Sequence, residues 1–66
     1  MDYIKGKGVL VGTYTETDIA NGKDKEDVKK VSEETGYKYT NTEFVKKNGK
    51  VSGIKIYVCS LEDFKL

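Results

Sequence analysis

Tyr37-Lys38-Tyr39-Thr40-Asn41-Thr42-Glu43-Phe44-Val45-Lys46-Lys47 and Lys50-Val51-Ser52-Gly53-Ile54-Lys55-Ile56-Tyr57-Val58-Cys59-Ser60 flank the dipeptide Asn48-Gly49. Both runs alternate and are rich in β-branched and aromatic types, which suit a pleated, half-buried surface. Asn-Gly between such runs is the preferred type I′ hairpin turn, because both central residues need positive φ. A two-residue loop sets the register. It pairs Lys47 with Lys50, Val45 with Ser52, Glu43 with Ile54, Asn41 with Ile56 and Tyr39 with Val58. Strict alternation then puts Tyr37, Tyr39, Val45, Ile54, Ile56 and Val58 on a core face. The opposite face takes Lys38, Thr40, Thr42, Phe44, Lys46, Val51, Lys55, Tyr57 and Cys59.

Upstream, Val9 to Thr17 reads as a first strand, with Val9, Val11 and Thr13 on one side and Leu10, Gly12 and Tyr14 on the other. Gly6-Lys7-Gly8 before it reads as a bulge or turn, with Tyr3 to Lys5 as a short extension. Residues 18 to 24 read as a loop turning at Asn21-Gly22. Asp24 is the expected N-cap of a helix from Lys25 to Thr35, and Gly36 its C′ residue. The apolar face of that helix is thin: Val28 and Val31, helped by Thr35 and Ile19. Such a helix needs a sheet to lie on. After the hairpin, Ser60 and Asp63 have capping-box spacing, and one helical turn would dock Leu61 and Phe64.

The expected architecture is therefore α+β: a β-α-β-β domain with a three-stranded sheet, one helix on one face and a short C-terminal helical turn. A crossover from strand one to strand two leaves room for strand three between them. The 66 residues are expected to form one small domain (1–66), with residues 1–7 flexible. A chain of this size buries only about 60% of the surface its unfolded form exposes, so efficient packing or a second chain must help.

Composition narrows the chemistry. There is no histidine, arginine, tryptophan, proline or glutamine, and there is one cysteine. Histidine titrates near neutrality and is the commonest metal ligand; arginine is the usual bidentate phosphate and carboxylate clamp. Cys59 can form no internal disulfide, and with no histidine it makes no tetrahedral zinc set. Twelve lysines against 11 acids give +1, too little for a global field that attracts nucleic acid or acidic membranes. There is no apolar run near membrane-span length and no signal-peptide pattern at the start, so the expected setting is cytoplasmic, with no membrane partner. Lysine as the only cation, with a single alanine and no proline, suggests AT-rich coding and a low-GC bacterium, its phages or plasmids.

Four constellations reduce to ordinary structure. Gly6-Lys7-Gly8 precedes a strand, whereas a dinucleotide or phosphate loop follows one and opens a helix. The loop acids Asp18, Asp24, Glu26 and Asp27 fail the EF-hand spacing, since Ile19 and Val28 fall on ligand positions. The pairs Glu33-Glu34 and Glu62-Asp63 have no cleft to split their pKa values. Cys59 reads as a small half-buried apolar side chain. No catalytic residue, cofactor or metal is expected, and the chain is read as a non-enzyme.

The sheet face opposite the helix carries the functional expectation. Phe44, Val51 and Tyr57 would be exposed there, edged by Lys38, Lys46 and Lys55. Aromatic anchors with a polar rim serve protein interfaces. The expected function is a small non-catalytic accessory protein or inhibitor of phage or mobile-element type, acting on a protein target through a sheet face or edge. The same patch could close a homodimer. The alternative is a nucleic-acid module in which these aromatics stack bases and the lysines pair phosphates.

Overall fold

The computed structural model describes residues 2–65. Strands β1 (Tyr3–Ile4) and β2 (Gly8–Tyr14) are followed by helices α1 (Glu16–Ala20) and α2 (Lys23–Thr35). Strands β3 (Tyr39–Lys47) and β4 (Lys50–Cys59) come next, and a 3₁₀ turn spans Leu61–Asp63. The class is α+β, as composition and pattern indicated, but the sheet has four strands, not three. Its order is β1-β2-β4-β3, and every neighbouring pair is antiparallel. The last strand of the hairpin does lie between the first long strand and β3.

The fourth strand comes from the segment expected to be flexible. Tyr3 pairs with Val9 and Ile4 with Gly8, and Lys7 donates its backbone N–H to the Ile4 carbonyl at 2.9 Å. Gly6 at φ 82° and Gly8 at φ 118° supply the backbone angles for this tight return. Met1 lies outside the described residues.

The helical region also differs. The first strand ends at Tyr14, and Thr15 caps a short helix where a strand end and a loop were expected. Thr15 Oγ1 accepts from the Asp18 N–H at 3.3 Å, while the Asp18 carboxylate accepts from the Thr15 N–H at 3.0 Å. This is a capping box with Asp at N3. Its backbone hydrogen bond, and the Thr15 side chain, hold the Asp18 carboxyl below its usual range. The main helix begins two residues earlier than expected. Its N-cap is Gly22 in the left-handed conformation, so Asp24 lies in the first turn and caps nothing. The C-terminal end matches the sequence reading: Gly36 at φ 81° donates its N–H to the Ser32 carbonyl. Ser60 does not cap the 3₁₀ turn through its side chain.

Two bulges reset the faces. The turn is as expected, with φ 54° at Asn48, φ 79° at Gly49, and Lys47 opposite Lys50. Lys46 then faces Val51, but Val45 faces Gly53, so Ser52 is an extra residue on β4. Beyond it Phe44 faces Ile54, Glu43 faces Lys55, Thr42 faces Ile56 and Asn41 faces Tyr57, each displaced by one from simple alternation. On β2, Leu10 faces Tyr57 and Gly12 faces Ile56, leaving Val11 as a second extra residue. A one-residue slip moves a side chain to the other face. Tyr39 and Val45 therefore leave the expected core face, and Phe44 joins the side of Ile54 and Ile56.

The core is consequently two-sided and centred on β4. On the helix side Val9, Tyr14, Ile56 and Val58 are buried, with α2 lying over β2 and β4. Tyr14 donates its hydroxyl to Asp27 of α2 at 2.9 Å; burial, and then that bond, push its pKa up to about 12. On the far side Tyr57 and Cys59 are buried, and Asn41 nearly so. They are covered by the β1–β2 turn and the C-terminal segment. Lys7 stands over the Tyr57 ring at 5.8 Å, and Phe64 packs on Tyr39 at 5.2 Å. Gly53 sits where β2 ends: a Cβ there would lie 2.5 Å from the Tyr14 carbonyl oxygen.

Candidate functional site

The six residues expected to share one open face do not share it. Phe44 and Lys46 lie on the helix side of β3, with Val51 opposite Lys46. Lys55 and Tyr57 lie on the far side, opposite Glu43 and Asn41. Lys38 precedes β3 in the connection from α2. Tyr57, expected to be an exposed anchor, is 4% exposed and packs beneath Lys7. The bulge at Ser52, which inverts β4 relative to the hairpin tip, splits the set between two faces, and Tyr57 is buried because the β1–β2 turn and the C-terminal segment cover the far side.

The far side is organised round a polar hub at Asn41. The Asn41 amide donates to the carbonyls of Lys7 at 3.0 Å and Asp63 at 2.9 Å, and reaches Cys59 Sγ at 3.4 Å; its oxygen accepts from the Lys65 N–H at 3.0 Å. One side chain thus ties together the β1–β2 turn, β3 and the C-terminal segment. Tyr3 adds a second tie, donating its hydroxyl to Asp63 beside Ser60. That bond to Asp63 is the main reason the Tyr3 hydroxyl is raised above its ordinary pKa. Lys7 pairs with Glu43 at 2.9 Å, which raises the lysine and lowers the carboxyl. Cys59 is fully buried, and desolvation followed by the nearby Asp63 charge pushes its thiol up, so it is not poised as a nucleophile. Among the described residues no group of three or more cysteine or acidic side chains could hold a metal ion, and no helix is long and apolar enough to cross a membrane.

The helix side beyond α2 is different. The helices cover β2 and β4 but leave the β3 end of the sheet bare. Phe44 is 68% exposed and Val51 58%, and Ile19 of α1 is also exposed. Glu16, Ile19, Val51, Ser52, Gly53 and Ile54 line a groove of about 390 Å³ between α1 and the hairpin. Phe44 stands beside it as the cross-strand neighbour of Ile54. β3 also ends the sheet, so among the described residues its outer edge has no strand partner. Of the residues singled out from the sequence, Phe44, Val51 and Lys46 lie on this side of the sheet; Ile19 and Ile54 were not among them. The signal was present in Thr15-x-x-Asp18, which places Ile19 on a helix, and in Ser52-Gly53, a small pair able to bulge.

Comparison with protein families, with characterised proteins and with solved structures gives no match for this chain.

Proposed function

We propose that this protein is a non-catalytic binding domain that engages a protein target through the β3–β4 hairpin. The contact surface is the apolar strip Phe44, Val51 and Ile54 with Ile19 across the groove, and the open edge of β3. One observation carries the reading: the largest exposed apolar side chain, Phe44, stands beside a groove and on a strand whose outer edge is unpaired. Aromatic anchors beside a concavity supply most of the energy in protein interfaces. Lys46 and Lys47 would set the rim charge and steer approach. An accessory protein or inhibitor, such as phages and mobile elements carry, fits these features, as it did the composition.

A tagged pull-down from a low-GC bacterial lysate, with nuclease and at high salt, tests the reading when run on wild type and Phe44→Asp. One dominant protein captured by the wild type and lost with Phe44→Asp is the expected result. Equal capture by both removes the hairpin from the site. Captured material that disappears with nuclease, and binding that falls steeply with salt, would replace the reading with a nucleic-acid module.

A further inference from the structure

Charge is segregated in this fold. The hairpin from Tyr39 to Cys59 carries four lysines and one glutamate, net +3, whereas the helical segment from Glu16 to Thr35 carries four lysines and seven acids, net −3. Three of the hairpin lysines, Lys46, Lys47 and Lys50, crowd its tip, and the one hairpin acid, Glu43, is already paired with Lys7. The nearly neutral whole chain hides a basic strand edge.

The direction of that edge's hydrogen-bonding groups follows from the turn. In a type I′ hairpin the residues flanking the loop exchange hydrogen bonds, so Lys47 aims its N–H and C=O at β4. Backbone direction alternates along β3, which has no bulge residue of its own. Thr42, Phe44 and Lys46 therefore aim theirs outward, and no strand among the described residues receives them. The same three residues place their side chains on the helix side, where Phe44 lies open.

We infer that the partner supplies an extended acidic segment that adds to β3 as a fifth strand. This rests on the binding role proposed above and names the chemistry of the partner. Main-chain bonds to Thr42, Phe44 and Lys46 would give affinity, as in other strand-addition complexes. An apolar side chain facing Phe44 would bury it, and the carboxylates alternating onto the other face would meet Lys47, with Lys46 at the end of the apolar face adding to the local positive charge. Edge lysines guard a sheet against addition of unsuitable strands. A second copy of this chain would bring another +3 hairpin alongside, whereas an acidic strand meets no such repulsion.

Titration of the full chain with three nine-residue alternating peptides, Glu–Val, Ser–Val and Lys–Val, followed by amide NMR, tests this. The Glu–Val peptide is expected to shift and slow exchange at the amides of Thr42, Phe44 and Lys46, and to bind about tenfold more weakly when salt rises from about 0.05 to about 0.3 M. Lys46→Glu with Lys47→Glu should lose the Glu–Val peptide and accept the Lys–Val peptide. Equal binding of Ser–Val and Glu–Val would overturn the acidic chemistry. Absence of any response at the three outward amides would overturn strand addition. Concentration-dependent shifts at those amides without peptide, with a doubled mass, would overturn it in favour of a second copy. Loss of lysate capture with Phe44→Asp, combined with any of these failures, would leave the hairpin as the site and discard only the partner's chemistry.

Discussion

Asn41→Ala is the perturbation that most directly tests how this small chain closes its second core. Asn41 is 8% exposed and makes three hydrogen bonds near 3 Å, to the carbonyls of Lys7 and Asp63 and from the Lys65 N–H. A net hydrogen bond is worth about 1 kcal/mol, and the abandoned carbonyls sit near enough to the surface to find water. The expected loss is about 2–3 kcal/mol. In a domain of this size that lowers Tm by roughly 10–20 °C. Denaturant unfolding gives the free energy, and thiol labelling of Cys59 gives a local readout. Cys59 is fully buried, so it reacts only after opening. If opening becomes easier by the same amount, labelling should speed up about 30- to 150-fold, at 1.4 kcal/mol per factor of ten. Asn41→Asp keeps the shape but sets a carboxylate against two carbonyls. It should be at least as damaging at neutral pH and recover as acid protonates it, because its folded pKa would be raised. A variant Asn41→Ala with wild-type stability and unchanged labelling would refute the hub, and with it the claim that the C-terminal segment is held by β3.

Gly8→Ala should cost at least ~3 kcal/mol, because φ is 118° there and a Cβ would run into the Val58 carbonyl and lie 2.8 Å from Cys59 Cβ; urea unfolding checks it, and a near-neutral result would mean that β2 and β4 do not meet as described. Gly49→Val, at φ 79°, should cost about 1–3 kcal/mol through the turn alone and leave Phe44 exposed; an unchanged melting point would contradict the type I′ geometry. Tyr14 has a folded pKa near 12 against about 10 when unfolded, so its contribution is complete below pH 10 and is lost as pH rises toward 12. Tyr14→Phe should therefore be less stable at pH 8 by about 1–2 kcal/mol, and should lose stability less steeply between pH 10 and 12. Parallel pH profiles for the two proteins would count against a buried Tyr14–Asp27 bond.

Local chemistry determined most of the secondary structure. Asn48-Gly49 specified its turn because few other pairs accept positive φ twice, and Gly36 stopped α2 for the same reason. The β-branched and aromatic runs specified two long strands. The order of the long strands followed from the crossover. The thin stripe of Val28 and Val31 announced a helix that must lie on a sheet. What the sequence could not determine was which residues face which side. Alternation is a period-two rule, and one extra residue inverts everything beyond it. Val11 and Ser52 are such residues, and each is an extra residue only against its partner strand. That is why Phe44, matched by pattern to Tyr57, lies open near the helices while Tyr57 keeps the far side, where the β1–β2 turn and the C-terminal segment bury it. The far-side core was equally illegible. It exists because Asn41 draws the β1–β2 turn and the C-terminal segment, more than 20 positions away in either direction, onto β3, and nothing local to Asn41 specifies such contacts. Sequence by itself set the class, the two hairpin strands, α2 and the candidate residues Phe44, Val51 and Lys46, but not β1 or α1. Tertiary structure alone decided which of them stand together, because the partner strand, not the strand itself, counts the bulge.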